Sequence, residues 1–142
     1  MTGHTIVCGY GLPGRAIVDI LHTHGIPHCV IELNPDTVSR CSKIGTHIIA
    51  GSCSDPDVLQ RAGIAGATTF VLAIPDDHAA LEATQHARRM NPSIHIIARC
   101  HFTSAGIEAK ARGANEVIVA EQLVATEMSR RMEQFLSTPV QE

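Results

Sequence analysis

The sequence predicts a doubly wound α/β fold: a parallel sheet of six strands in the order 3-2-1-4-5-6, with a C-terminal crossover helix. Three observations predict it. Six short apolar runs alternate with amphipathic segments along 142 residues, joined by short polar loops. The run from Thr68 to Ile74 is apolar almost throughout, as in a parallel strand covered on both faces. The first strand breaks into Gly9, Gly11 and Gly14, spaced G-x-G-x-x-G, and an amphipathic helix follows at once. Right-handed crossovers and that Gly-rich first turn select the strand order.

The elements follow in order. Thr5 to Cys8 is the first strand. The first helix places Ala16, Ile17, Ile20 and Leu21 on one face; Gly25 closes it and Pro27 prevents continuation. His28 to Glu32 is the second strand. Asn34 caps the second helix, Pro35 is its first residue, and Gly45 stops it. Thr46 to Ala50 is the third strand, Gly51 to Asp55 a polar loop, and Pro56 to Ala62 a short helix closed by Gly63. After the fourth strand, Pro75, Asp76 and Asp77 cap a helix over His78 to Met90, which Asn91 and Pro92 break. Ile94 to Arg99 is the fifth strand. Thr103 or Ser104 starts a helix ending near Gly113, and Glu116 to Val119 is the sixth strand. A last helix runs from Glu121 to Leu136. One domain therefore spans 1–136, and 137–142 is expected to be a disordered tail.

Composition narrows the function. Net charge is −3 with no basic run, so no nucleic-acid partner is expected. One Tyr, no Trp and three Phe leave little for base stacking. No apolar stretch reaches the ~20 residues that span a bilayer. The N-terminus enters the first strand directly, with no signal-peptide pattern. The five cysteines include no C-x-x-C and read as buried free thiols in a reducing cytoplasm. Of nine histidines, His22, His24 and His28 cluster with Cys29. Residues two apart on a helix do not converge on one point, so these read as surface histidines and no metal site is expected.

The Gly-rich turn carries the chemistry. Gly9 permits the tight turn, Gly11 lets backbone approach a pyrophosphate, and Gly14 lets helix and sheet pack closely. Free N–H groups and the helix dipole there make an anion site, with Pro13 at little cost in the opening turn and Arg15 adding charge. Glu32 ends the second strand about 20 residues on, where a carboxylate accepts both hydroxyls of an adenosine ribose and repels a 2′-phosphate. In a Rossmann-like sheet the ligand lies at the C-terminal strand ends. The candidate binding residues are Gly9, Tyr10, Gly11, Leu12, Pro13, Gly14, Arg15, Glu32, Leu33, Ser52, Cys53, Ile74, Asp76 and Arg99.

Four stretches, Gly9 to Gly14, Val30 to Glu32, Ile48 to Ser52 and Leu59 to Ile64, resemble the RCK N-terminal domain, also called KTN or TrkA-N. The Ile-Ala-Arg ending at Arg99 and the run from Gly113 to Ile118 extend the match over about residues 4 to 134. The resemblance implies a cytoplasmic ligand-sensing domain at the inner face of the membrane. Such domains bind NAD(H), AMP, ADP or ATP and regulate a potassium channel or a potassium/proton antiporter. It also implies homodimers and larger rings, phosphates on the glycines, ribose on Glu32, and Arg99 near the phosphates or a partner subunit. The family usually has Gly-Asp after the third strand; here Ser52 follows Gly51.

Dehydrogenases share the glycines and the acidic residue but need a second region to hold substrate. With one helix after the sixth strand, the reading is a binding module and not an enzyme. The alternatives are an NAD-binding fragment of an oxidoreductase and a dimerisation scaffold that has lost ligand binding. Val124, Met128, Met132 and Phe135 form one apolar stripe on the last helix. It is expected in a homodimer interface, with self-packing on the sheet as the alternative.

Overall fold

A computed structural model describes residues 1–140. The strands are β1 (Thr5–Cys8), β2 (His28–Glu32), β3 (Ile48–Ala50), β4 (Thr69–Leu72), β5 (His95–Cys100) and β6 (Glu116–Val119). They form one sheet in the order β3-β2-β1-β4-β5-β6, and every pairing is parallel. The helices are α1 (Leu12–Thr23), α2 (Pro35–Lys43), α3 (Pro56–Arg61), α4 (Asp77–Met90), α5 (Thr103–Arg112) and α6 (Ala120–Ser137). Fold class and strand order are as the sequence predicts.

Strand alternation divides the core between two faces. Ile6, Cys8, Cys29, Ile31, Phe70, Leu72, Ile96 and Ala98 pack against α3, α4 and α5. Val7 and Val30 meet Val18 and Leu21 of α1 on the other face. On α4 the buried stripe is Ala80, Ala83, Thr84 and Ala87, small side chains that seat the helix close to the sheet. Asn91 fixes its C-terminal end, donating from Nδ2 to the carbonyls of Ile64 and Ala67 at 2.9 Å each.

Several boundaries move. The buried stripe of α1 is Gly14, Val18 and Leu21, while Ala16 and Ile20 are exposed. Contact at Gly14 sets the helix rotation, which turns the expected face partly outward. β3 begins at Ile48 because the Thr46 amide instead donates to the Cys41 carbonyl at 3.1 Å, in the turn that closes α2. β5 gains Cys100, paired with Val119. Ser137, expected in the tail, closes α6; Gln141 and Glu142 lie outside the described residues.

Among the described residues no helix is long and apolar enough to cross a membrane. α6 has no buried residue. Met128 is 68% exposed and Phe135 74%, with Leu123, Val124, Met132 and Leu136 also exposed. The self-packing alternative for the stripe is therefore not what the fold adopts. The helix is braced along its surface by Glu127, which accepts from Arg130 at 2.6 Å and from Arg131 at 2.8 Å.

Candidate functional site

The sheet reverses its winding between β1 and β4, so the carboxyl ends of these strands leave a crevice. It is an open cleft of about 1050 Å³. β1 contributes its floor through Gly9. At φ +93°, a Cβ at Gly9 would stand 2.9 Å from the Ala73 carbonyl oxygen, so only glycine fits. Gly11 is different: nothing lies within 4 Å of a Cβ built there. The space beside it opens into the crevice.

Glu32 stands opposite. Its Oε1 accepts the Tyr10 amide at 2.9 Å and its Oε2 accepts the Asn34 amide at 2.9 Å. The carboxylate is thereby fixed against the Gly-rich turn, with a lone pair on each oxygen still available to a diol. Asn34 in turn caps α2, its side chain accepting the Asp36 amide at 2.9 Å.

Three guanidinium groups, Arg15, Arg40 and Arg99, line the cleft. None has an ion-pair partner among the described residues. The acids of the far wall are already engaged: Asp76 accepts the Ala79 amide at 3.2 Å, and Glu82 pairs with His78 at 2.8 Å. Arg40 donates to the Thr37 hydroxyl at 3.4 Å, but a cleft whose cations face no carboxylate, beside a helix N-terminus, favours an anion. At the end near Ser52, the Ser52 and Ser54 hydroxyls hydrogen-bond each other at 2.7 Å. Hydroxyls there replace the carboxylate of the family pattern.

Twelve of the expected binding residues line this crevice: Gly9, Tyr10, Gly11, Pro13, Arg15, Glu32, Leu33, Ser52, Cys53, Ile74, Asp76 and Arg99. Two do not. Leu12 is 82% exposed on the first turn of α1 and does not line the cleft. Gly14 is buried, and a Cβ there would lie 1.8 Å from the Gly9 carbonyl oxygen. Its part is the close contact of helix and strand. Sequence reasoning missed Thr37, Arg40, His78 and Glu82. Helical spacing held the signal, since Thr37 and Arg40 are three apart on α2 and His78 and Glu82 four apart on α4.

The wall formed by α4 is tied to the next turn. Asp77 accepts the His101 amide at 2.8 Å, the His101 Nδ1 at 3.1 Å and the Phe102 amide at 3.4 Å. Burial pushes the Asp77 carboxyl up, but these hydrogen bonds together outweigh it and hold it below its ordinary value. The histidine cluster is split by strand alternation. His22, His28 and His47 border a shallow groove with Asp19. Cys29 is buried on the opposite face, its Sγ 3.8 Å from the Ala62 carbonyl oxygen.

The TrkA-N domain family matches residues 5–120. The chain belongs to the TrkA-N domain family. A putative cation/proton antiporter, YbaL of Escherichia coli K12, is 32% identical over 136 residues, 96% of this TrkA-N chain and 24% of that protein. A putative K(+) efflux antiporter, KefB of Alkalimonas amylolytica, is 29% identical over 115 residues, 81% of this chain and 17% of that one. The chain thus spans about a quarter or less of the length of these curated relatives. The crystal structure of the TrkA-N domain of inner membrane protein YbaL superposes with a TM-score of 0.87 at 31% identity, covering 92% of this chain and 96% of that one. The Kef CTD of Shewanella denitrificans in its AMP-bound form has a TM-score of 0.81 at 22% identity, covering 95% and 82%. The GsuK channel bound to NAD has a TM-score of 0.76 at 22% identity, covering 83% of this chain and 21% of that one. The last two share the TrkA-N fold.

Proposed function

We propose that this domain binds an adenine nucleotide, NAD(H) or AMP, ADP or ATP, and through it regulates potassium transport by a membrane channel or antiporter to which it is joined or docked. The observation that carries the reading is the Glu32 carboxylate. It is held by the Tyr10 and Asn34 amides beside the Gly-rich turn, one side of a cleft whose three guanidiniums have no ion-pair partner among the described residues. Ribose diol and phosphate then find their counterparts at opposite ends of one crevice. The AMP-bound and NAD-bound relatives support the ligand class, and the antiporter relatives support the transporter. The working location is the cytoplasmic side of the membrane. Two chains pair through the exposed stripe of α6, which nothing among the described residues covers.

Calorimetry with AMP, NAD and NADP tests the ligand. AMP or NAD binds, and NADP binds poorly because its 2′-phosphate meets Glu32. Glu32→Ala loses several-fold to a hundredfold in affinity, about 1–3 kcal/mol for charge-assisted hydrogen bonds. Equal affinity for NAD and NADP sinks the assignment of Glu32. No heat with any nucleotide favours a scaffold that binds nothing.

A further inference from the structure

Two hydroxyls stand at the end of the crevice that ribose and phosphate leave open. They belong to Ser52 and Ser54, half-buried in the loop after β3, and both line the cleft. Sheet order fixes where that loop lies. β2 has β1 on one side and the edge strand β3 on the other. Glu32 is in register with Ala50, and the Gly51 amide donates to the Glu32 carbonyl at 3.0 Å. Ser52 is the next residue. The Glu32 carboxylate meets the opposite neighbour, accepting the Tyr10 amide of the Gly-rich turn at 2.9 Å. Gly-rich turn, Glu32 and Ser52 therefore follow one another across the strand ends, in steps set by the strand spacing of about 4.8 Å. In a nucleotide the 5′ carbon and the base leave the ribose ring on opposite sides of the diol. With the diol on Glu32 and phosphate at the turn, the base extends toward β3 and its edge meets Ser52.

The hydroxyl pair has two states. The Ser52 and Ser54 oxygens are 2.7 Å apart, and the Ser54 amide donates to the Ser52 Oγ at 3.2 Å. A hydroxyl has one hydrogen and two lone pairs. When Ser54 donates to Ser52, both lone pairs of Ser52 are filled, and its own hydrogen is free to donate into the cleft. When Ser52 donates to Ser54, its hydrogen is used and one lone pair is left, so it accepts from the cleft. Rotation of the two O–H bonds interconverts these states without moving a heavy atom.

We propose that Ser52, switched by Ser54, reads position 6 of a purine and takes an amino or an oxo group there alike, so that the crevice binds inosine nucleotides as well as adenine nucleotides. This assignment rests on the nucleotide reading above. A 6-amino group is a donor and meets Ser52 in its accepting state; a 6-oxo group is an acceptor and meets it in its donating state. Ribose and phosphate are common to both nucleotides, so nothing at Glu32 or the Gly-rich turn separates them. A carboxylate in place of Ser52 has no hydrogen to give. It accepts from the amino group and faces the oxo oxygen with a second acceptor, which leaves both unpaired. Guanine adds an amino group at position 2 that needs a partner of its own, so inosine isolates the contact at position 6.

Calorimetry on the native chain tests this with three monophosphates whose bases differ around position 6: AMP, IMP and purine riboside monophosphate, which has only hydrogen there. AMP and IMP bind within about fivefold of each other, and each binds at least about threefold more tightly than purine riboside monophosphate, as one neutral hydrogen bond requires. Ser52→Ala removes that advantage and brings the three within about twofold. Ser52→Asp holds AMP within about fivefold of the wild type and weakens IMP at least about tenfold. An unchanged far-UV circular dichroism spectrum shows each variant folded, and the wild-type comparison stands without them. A wild-type difference between AMP and IMP beyond fivefold, in either direction, overturns the proposal and leaves the nucleotide site in place. Three equal affinities in the wild type show that the base does not reach Ser52 and overturn it too. Folded Ser52→Asp that binds AMP and IMP equally does the same. No binding of any of the three removes this assignment and the nucleotide reading together.

Discussion

Gly11 and Gly14 lie three residues apart in one motif, and the structure assigns them opposite consequences when a side chain is added. At Gly14 a Cβ would lie 1.8 Å from the Gly9 carbonyl oxygen, where ordinary contact begins near 3.4 Å, so α1 must retreat from β1 by about 1.6 Å. Overpacking of this kind costs about 1–3 kcal/mol and more where the obstacle is backbone. At roughly 3–4 °C per kcal/mol for a domain of this size, Gly14→Ala lowers Tm by roughly 10 °C. Helix propensity alone has the other sign, since Ala replacing an interior Gly stabilises by about 0.5–1 kcal/mol. At Gly11 the backbone angle is ordinary, φ −77°, and the space is open. Gly11→Val loses only the preference of an N-cap for Gly over Val, about 1 kcal/mol, and Tm falls by no more than roughly 4 °C. Its side chain nevertheless stands where a phosphate would approach, so nucleotide affinity falls at least about a hundredfold. Differential scanning fluorimetry and calorimetry on the two variants check the contrast. Gly14→Ala melting within 2 °C of wild type, on the order of half a kcal/mol, refutes the packing argument. Undiminished affinity in folded Gly11→Val places the ligand elsewhere.

Further outcomes are open to measurement. Asp77 is held below its ordinary value when folded, so its stabilisation is present above the unfolded carboxyl pKa of about 3.9 and is lost as pH falls through the folded value. The Tm gap between wild type and Asp77→Asn is therefore widest near neutrality and closes below about pH 4; a gap that does not change with pH rules the ion out. Arg88 bonds the Gly113 carbonyl at 2.9 Å, the Pro92 carbonyl at 2.9 Å and the Asn115 Oδ1 at 2.7 Å. Arg88→Ala costs about 1.5–3 kcal/mol by chemical denaturation and leaves nucleotide affinity unchanged; lost affinity in the folded variant contradicts this. In sedimentation at tens of micromolar the wild type is a dimer and Met128→Glu, Met132→Glu a monomer; a monomeric wild type or a dimeric variant shows that the α6 stripe is not the interface.

The fold was legible because its signals are local. Period, caps and glycines fall inside windows of a few residues: Asn34 caps α2 as its position suggests, at 2.9 Å. Glu32 was legible for the same reason, as the end of a strand at a fixed distance from a motif. What was hidden depends on three-dimensional registry. Arg40 lies 26 residues beyond Gly14, past α1 and β2, and lines the cleft only because the fold returns α2 to the strand ends. The start of α5 was ambiguous because its N-cap, Phe102, offers no acceptor. The Thr103 amide is satisfied instead by Glu121, at 2.7 Å and eighteen residues away. The exposed face of α1 was misjudged because a contact at Gly14, and not the count of apolar residues, fixes the rotation of the helix.

The absence of any buried residue in α6 divides the chain into two regimes of motion. The strands open to solvent only when the whole sheet does, so their amides exchange at the slow rate of global unfolding. α6 is 18 residues long and is held by its own hydrogen bonds, surface ion pairs and a footing at Glu121. A helix of that length standing in water is close to its own helix–coil midpoint. In a solitary chain its amides past the first turn exchange orders of magnitude faster than those of β1 or β4. Whatever covers the stripe slows them, and the amide clock of α6 thereby reads association directly, residue by residue, without reference to the crevice.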